Sequence, residues 1–341
     1  MTELLKTLCS LNGVTGCEDE VRGYIFERVL AFADEVKTDP IGNIMAFKKG
    51  KMRAANRLMV CAHMDEVGLI IKSVTDEGYL KFETVGGIDR RLLPGKTVAV
   101  GRDCLPGVIG IKAVHLTTSE ERKGPPKPKD MYIDIGAKNK ETAEKLVSPG
   151  DYAAFMSDIV VTADSLRAKA IDDRVGCAVM LGMLESQLSY DMWFAFTSQE
   201  EVGLRGADSA AFAVMPDIAL ILETTTAADL PLVKGASAVS RLDSGVVLSY
   251  MDSGTIYDRA LFEHIRGIAD ENNIKWQVKS MIAGGTDAGR IHISRSGVRC
   301  AGLAVPVRYL HSAGSLASLS DIESLERLAY LAIQTLPAIT L

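Results

Sequence analysis

The feature that most constrains the fold of this 341-residue chain is an alternation of short apolar runs with longer amphipathic ones. The short runs have the length of buried strands, and the longer runs repeat apolar residues at helical spacing. The predicted strands are 44–47, 57–63, 191–198, 218–222 and 298–305, and the predicted helices are 18–34, 174–188, 206–215, 258–273 and 321–336. This order predicts an α/β fold with a mixed, largely parallel sheet sandwiched by helices. Asp321 is the predicted N-cap of the last helix.

A different pattern interrupts this alternation between about residues 69 and 164. Short runs with nearly alternating polar and apolar residues follow one another, and the turn Asp76-Glu77-Gly78 joins two of them as in a hairpin. Residues 117–130 are charged and rich in Gly and Pro, which predicts an exposed loop. We therefore predict a catalytic domain of residues 1–68 and 165–341, interrupted by a small all-β module at 69–164.

The composition narrows the class of function. The formal net charge is −6 and no long basic run is present, which argues against nucleic-acid and anionic-membrane partners. No apolar stretch reaches the roughly 18 residues that span a membrane, and we predict no signal peptide. The six cysteines are scattered without a C-x-x-C pair, as expected for free thiols in a reducing compartment. These features predict a cytoplasmic enzyme that acts on small molecules or peptides.

Histidines and acidic residues follow four of the predicted strands or precede a helix. They are His63, Asp65, Asp172, Asp173, Glu200, Glu201, Glu223 and His311. Because ligands of open α/β sheets bind beyond the carboxyl ends of the strands, we expect these residues to meet at one edge. Two histidines and several carboxylates without thiolate are the donors of a zinc, manganese or cobalt site. So many carboxylates suggest two metal ions that activate a water and polarise a carbonyl, with one acid left unligated as the base.

Five short motifs carry a resemblance to a known family. They are AHMDEVG (62–68), IDDRVG (171–176), SQEEVGLRGA (198–207), GGTDAGRIH (284–292) and RYLHS (308–312). In this order they resemble the motifs of the glutamyl aminopeptidase and tetrahedral (TET) aminopeptidase family of di-zinc metallopeptidases. The resemblance covers essentially the whole chain. It implies a di-zinc exopeptidase domain interrupted by a β module. It also implies a homo-oligomer, such as a hollow tetrahedral dodecamer, that would admit only short peptides.

The resemblance also implies the ligands of two divalent metal ions per subunit. His63 and Glu223 correspond to ligands of one ion, and Glu201 and His311 to ligands of the other. Asp172 corresponds to the bridge between the two ions. The implied metal is zinc, with cobalt or manganese as alternatives.

Two further residues have implied catalytic roles. Glu200 corresponds to the general base that takes a proton from the attacking water, and Asp65 to the residue that orients His63. In related enzymes the peptide bond after the bridging aspartate is cis, and Asp173 is the alternative bridge. Taken singly, Glu200 with its neighbour could be a solvated helix start, but its place among the other motifs favours function.

One ligand position departs from the family pattern. Many relatives have Asp where this chain has Glu223 in LETTTAAD, and Asp229 is the substitute ligand if Glu223 does not serve. In the wider superfamily a Glu at this position can accompany carboxypeptidase or deacylase activity. We predict an aminopeptidase that acts on short peptides. The alternatives are a metallo-carboxypeptidase, deacylase or deblocking peptidase on the same site, and a non-catalytic peptide-binding scaffold.

Overall fold

The structure, a computed structural model, describes residues 1–282 and 284–340. The helices of these residues are α1 (Thr2–Ser10), α2 (Asp19–Leu30), α3 (Lys140–Glu144), α4 (Ile171–Glu185), α5 (Arg205–Val214), α6 (Arg259–Glu271), α7 (Ala288–Ile291) and α8 (Leu319–Ile333). The predicted helices correspond to α2, α4, α5, α6 and α8. No helix in the described part of the chain is both long enough and apolar enough to cross a membrane.

The strands fall into two sheets. They are β1 (Glu35–Thr38), β2 (Ile44–Lys48), β3 (Leu58–His63), β4 (Gly68–Val74), β5 (Leu80–Val85), β6 (Thr97–Val100), β7 (Leu105–Ile111), β8 (Met131–Asp134), β9 (Tyr152–Phe155), β10 (Val160–Val161), β11 (Ser165–Ala168), β12 (Met192–Thr197), β13 (Ile218–Thr226), β14 (Val246–Ser249), β15 (Trp276–Val278), β16 (Arg299–Arg308) and β17 (Ser315–Ser318). The strands predicted for the catalytic domain correspond to β2, β3, β12, β13 and β16.

The main sheet is mixed, with its parallel strands at the centre. Its order is β1-β2-β12-β3-β13-β16-β17-β11-β10, and β14 pairs with both β16 and β15. The central strands β12, β3, β13 and β16 are parallel to one another, whereas β2, β14 and β17 pair with them in antiparallel fashion. Parallel neighbours need long crossover connections, here made largely by helices. The carboxyl ends of the four central strands consequently lie at one edge.

Helices cover both faces of this sheet. Along β3, Leu58 and Val60 pack into a core with α1, α2, α4, α6 and α8, whereas Met59 and Cys61 pack into a second core with α5 and α7. Burial on both faces explains why β3 is apolar throughout instead of alternating. The predicted α/β fold class is confirmed.

Strands β4 to β9 form a separate closed barrel in which every pairing is antiparallel. The barrel has its own core, which includes Leu69, Phe82 and Ile133. The chain enters the barrel at Gly68, shortly after β3, and the last barrel strand ends at Phe155. The following strand β10, which the sequence assigns to the inserted module, pairs with β11 of the main sheet.

The start of α8 corrects one prediction. The N-cap is Ser318, whose hydroxyl accepts a hydrogen bond from the backbone N–H of Ser320 at 3.3 Å. Asp321 is buried, and its carboxylate accepts hydrogen bonds from the N–H groups of Asp243 (2.8 Å) and Gly245 (2.7 Å). The helix therefore begins earlier than predicted, because Asp321 stabilises a loop that is distant in sequence.

Candidate metal centre

The parallel strands bring the predicted site residues to one edge of the main sheet. His63 ends β3 and pairs in register with Thr197, which ends β12. Glu200 and Glu201 follow β12 after a short turn, and Glu223 lies in β13 beside β3. This convergence is the one expected for the carboxyl ends of neighbouring parallel strands.

Asp172 lies between the two histidines. Its Oδ1 is 3.2 Å from His63 Nε2, and its Oδ2 is 3.1 Å from His311 Nε2. Asp172 and Asp173 have non-helical backbone angles at the start of α4, and the peptide bond between them is cis. Burial alone would raise the pKa of Asp172, but the hydrogen bonds from both imidazoles lower it well below its usual range. One carboxylate thus offers a separate oxygen to each histidine.

Two groups of side chains could each hold one metal ion. The His63 group consists of His63, Asp172 and Glu223, and Glu223 Oε1 is 3.4 Å from His63 Nε2. The His311 group consists of His311, Asp172 and Glu201, and Glu201 Oε2 is 3.3 Å from His311 Nε2. The donor atoms of a group lie within 4.8 Å of one another. The measured contacts of 3.1–3.4 Å are within the roughly 4.4 Å that two bonds of about 2.0–2.2 Å to one ion can span.

Asp65 connects the end of β3 to the turn that carries the two glutamates. Its carboxylate accepts hydrogen bonds from the backbone N–H groups of Glu200 (3.0 Å) and Glu201 (3.2 Å) and from the Thr15 hydroxyl (2.7 Å). His63 Nδ1 is 3.1 Å from the Asp65 carbonyl oxygen and 3.5 Å from its Oδ1. Burial would raise the pKa of Asp65, but these donors, with His63 foremost, lower it.

Glu200 lies close to both groups and belongs to neither. The turn before it contains Gln199 with a positive φ of 56°, and Glu200 itself is partly exposed. Burial raises the pKa of Glu200 well above its usual range, and the charge of Glu223 adds to this effect against the opposing charge of His63. A carboxyl with a raised pKa beside a ligand cluster can hold and release a proton.

Three other acids of the centre have raised pKa values, because burial disfavours their charge more than the two histidines stabilise it. Burial raises the pKa of Glu201 to about 8 and that of Glu223 to about 7. Burial also raises the pKa of Asp173, and no described residue donates a hydrogen bond to its Oδ2. Burial opposes the charge of His311, but the hydrogen bond to Asp172 and the charge of Glu201 raise its pKa to about 9. Divalent cations would offset this negative charge.

Glu66, a neighbouring buried acid, is paired with two positively charged side chains of the protein. Its Oε1 is 2.7 Å from Lys169 Nζ and 3.5 Å from Arg174 Nη2, and it accepts a hydrogen bond from the Gly13 N–H at 2.9 Å. Arg174 is fully buried and also donates to the Leu8 carbonyl at 2.5 Å. Sequence reasoning gave these residues no role. The sequence signal that could have identified them is a charged residue inside a segment that is predicted to be buried.

The barrel supplies a hydrogen-bond partner to the second histidine. His311 lies in the loop after β16, and its Nδ1 donates to the Gly87 carbonyl oxygen at 2.8 Å, just beyond β5. This bond leaves Nε2 to face Asp172 and Glu201. No sequence signal connects two residues that are 224 positions apart.

Asp229 and Asp287, two acids in the sequence motifs, lie outside both groups. Asp229, the substitute for Glu223, forms two hydrogen bonds of 2.7 Å with Arg308. Asp287 of the GGTDAG motif is buried and accepts a hydrogen bond from the Thr197 hydroxyl at 2.5 Å. Asp287 therefore fastens its loop to the end of β12 instead of joining the ligand cluster.

Comparison with known proteins identifies the family. Residues 42–328 match the family described as M42 glutamyl aminopeptidase. A protein of Acetivibrio thermocellus is 38% identical to this chain over 335 residues, and the match covers 98% of each chain.

Solved structures agree with this match. A TET aminopeptidase from a marine-sediment archaeon, Thaumarchaeota archaeon SCGC AB-539-E09, superposes with a TM-score of 0.93 at 36% identity, over 98% of this chain and 96% of the other. The TET1 peptidase of Pyrococcus horikoshii superposes with a TM-score of 0.86 at 35% identity, over 98% of each chain. This chain belongs to the M42 glutamyl aminopeptidase family.

Proposed function

We propose that this aminopeptidase uses two divalent metal ions to remove N-terminal residues from short peptides. The His63 group would hold one ion and the His311 group the other, with Asp172 as the bridge. The observation that carries the proposal is that each histidine faces a separate oxygen of Asp172, at 3.2 and 3.1 Å. Imidazole and carboxylate donors favour zinc, with cobalt and manganese as alternatives.

The ionisation of the site supports divalent cations. Glu201 and Glu223 have pKa values of about 8 and about 7, so protons occupy them part of the time near neutral pH. Ligand carboxylates must be deprotonated, and metal binding therefore displaces these protons. An ion of charge +2 in each group would stabilise both carboxylates in the charged form.

The residues around the ligands suggest how the reaction proceeds. When bound, the two ions would polarise the scissile carbonyl and increase the acidity of a water. Glu200 would accept the proton of that water on a carboxylate oxygen and deliver it to the nitrogen of the leaving amine. Its position outside both ligand groups and its raised pKa support this role. Asp65 would hold the backbone of Glu200 and Glu201 and orient His63.

Hydrolysis of amino-acid anilides by the purified protein tests this proposal. The protein is treated with a chelator, and zinc, cobalt or manganese is then restored separately. We expect activity on substrates with a free amino group that disappears with the chelator and returns with metal. Undiminished activity after complete metal removal would refute the proposal. Activity confined to N-acylated or C-terminal substrates would favour the deacylase or carboxypeptidase alternative.

We also propose that the chain forms a homo-oligomer, a tetrahedral dodecamer, through its barrel. The similar Pyrococcus horikoshii TET1 peptidase can assemble into a tetrahedron or a large octahedral shell. The barrel region exposes apolar side chains that a subunit contact would bury, among them Val114 at 72% and Leu116 at 60% exposure. Light scattering during size-exclusion chromatography checks the assembly. A mass of 36.7 kDa, that of a single chain, would contradict it.

A further inference from the structure

We propose that the Gly86-Gly87 turn of the barrel positions His311 and thereby sets the metal affinity of the His311 group, but not that of the His63 group. The turn directly follows β5. The inference rests on the proposed two-metal function. According to this inference, the barrel supports the His311 group, in addition to its proposed role in the assembly of the homo-oligomer.

The two histidines are supported in different ways. His63 is 2% exposed at the end of a central strand, and its Nδ1 contacts Asp65, two residues further along the chain. His311 lies in a loop with a positive φ of 55°, and its side chain is 29% exposed. Its Nδ1 contacts Gly87, in the turn that follows β5 of the barrel. His63 is therefore oriented within its own segment, whereas the orientation of His311 depends on the barrel.

Both sides of the His311–Gly87 contact are anchored in the barrel. Val85, just before the turn, pairs with Gly68 of β4, and Ile88, just after it, packs against the barrel core. Ala313, two residues after His311, is buried in that same core. By contrast, the residues of the His63 group come from β3, β13 and the start of α4, all outside the barrel.

The turn has little room for side chains. Gly86 has a φ of +82°, and a Cβ there would lie 2.7 Å from Val67 Cγ1 and 3.4 Å from Glu201 Cβ. A Cβ on Gly87 would lie 3.5 Å from His311 Nδ1, which is ordinary contact. Alanine at position 86 would thus displace the turn, whereas a β-branched residue at position 87 would push the imidazole directly.

Loss of the Gly87 contact frees the imidazole to rotate and to change tautomer. Partners that orient a metal-binding histidine typically contribute 10-fold to 100-fold to metal affinity. Only the His311 group should lose this contribution, because Asp65 continues to orient His63. The dissociation constants of the two metal sites should then differ clearly, with the His311 group as the weaker site.

Zinc titration of metal-free variants tests the inference. Gly86→Ala and Gly87→Val alter the turn, and Gly136→Ala is the matched control. Gly136 also has a positive φ, +74°, but a Cβ there would meet no described atom within 4 Å. Competition with a chromophoric chelator gives the number of ions bound and both dissociation constants. We expect two ions in the parent protein and in the control, and a second site weakened about 10-fold to 100-fold in both turn variants.

Other outcomes would overturn the inference. Unchanged affinities in the turn variants, or equal weakening of both sites, would show that the turn does not act selectively. The same loss in Gly136→Ala would indicate general damage to the barrel. If Gly86→Ala does not fold, Gly87→Val decides, because its backbone needs no left-handed conformation. A parent protein that binds fewer than two ions would refute the two-metal proposal itself.

Discussion

Two buried clusters of charge lie side by side in this protein and are balanced in different ways. In the Glu66 cluster, one carboxylate contacts both Lys169 and Arg174. In the candidate metal centre, the carboxylates of Asp172, Glu201 and Glu223 share two imidazoles. The clusters use the same chain segments, since Glu66 follows His63 in the AHMDEVG motif and Arg174 follows Asp172 in IDDRVG.

The comparison separates a structural role from a proposed ligand role. Glu66 has opposite charges and a backbone donor within reach, as a stable buried carboxylate requires. Glu201 and Glu223 have raised pKa values, because burial disfavours their charge and the protein compensates it incompletely. A buried acid that is paired with positively charged side chains stabilises the fold. A group of buried acids with too little positive charge nearby is suited to bind metal cations from solution.

The largest expected effect comes from the acid that belongs to neither ligand group. Glu200→Gln should lower turnover by about 10²–10⁴, the usual contribution of a general base, and leave both metal ions bound. Steady-state kinetics and elemental analysis of the same preparation check this result. A near-normal rate, or loss of metal, would show that Glu200 is not the base.

The second prediction tests the Glu66 cluster. Glu66→Gln leaves Lys169 and Arg174 buried without a carboxylate, so we expect the free energy of unfolding to fall by about 3–5 kcal/mol. Denaturant titration of the metal-free proteins measures the change. The control is Glu83→Gln, which removes an exposed partner 3.1 Å from Lys72 and should lower stability by at most about 1 kcal/mol. If both variants lost the same free energy of unfolding, the Glu66 cluster would have no special structural role.

The third prediction is a stability change for Glu223→Gln that has opposite signs without and with metal. Glu223→Gln removes a buried acid whose charge is incompletely balanced, so the metal-free variant at pH 8 should be more stable than the parent, by on the order of 1 kcal/mol. With saturating zinc the variant should be the less stable protein, because it has lost a proposed ligand. Thermal unfolding with and without zinc checks both signs. A variant that is less stable in both conditions would contradict the prediction.

The fourth prediction concerns the pH dependence of the metal-free protein. Glu201 and Glu223 have raised pKa values of about 8 and about 7 against an ordinary 4.5, and His311 has about 9 against 6.5. Between about pH 5 and pH 9 the folded chain therefore binds more protons than the unfolded chain, and stability should fall as the pH rises.

Denaturant unfolding at several pH values measures that slope. We expect at most about 1.4 kcal/mol per pH unit for each proton involved, and a smaller slope or a reversed one with zinc, because metal ions displace the same protons. Glu66→Gln should keep the slope of the parent if it folds. Stability that rises with pH in the metal-free protein would contradict the assignment.

Much of the fold followed from local patterns. The apolar run at 57–63 is β3, and the helical spacing at 258–273 corresponds to α6, because strand and helix periods are written in consecutive residues. Short strands such as β14 and β15 were not predicted, since three or four residues carry too little pattern. The cap of α8 was misplaced because Ser318 and Asp321 are both good cap residues, and the loop at 243–245 decides between them.

The sequence by itself determined which residues meet at the centre. His63, Glu201, Glu223 and His311 follow predicted strands, and the carboxyl ends of parallel strands lie at one edge of a sheet. Only the tertiary structure decided how these residues are oriented and charged. The Gly87 contact to His311 and the pairing of Glu66 with its two cations join distant segments. Orientation and burial depend on contacts between such segments, and no local period in the sequence records them.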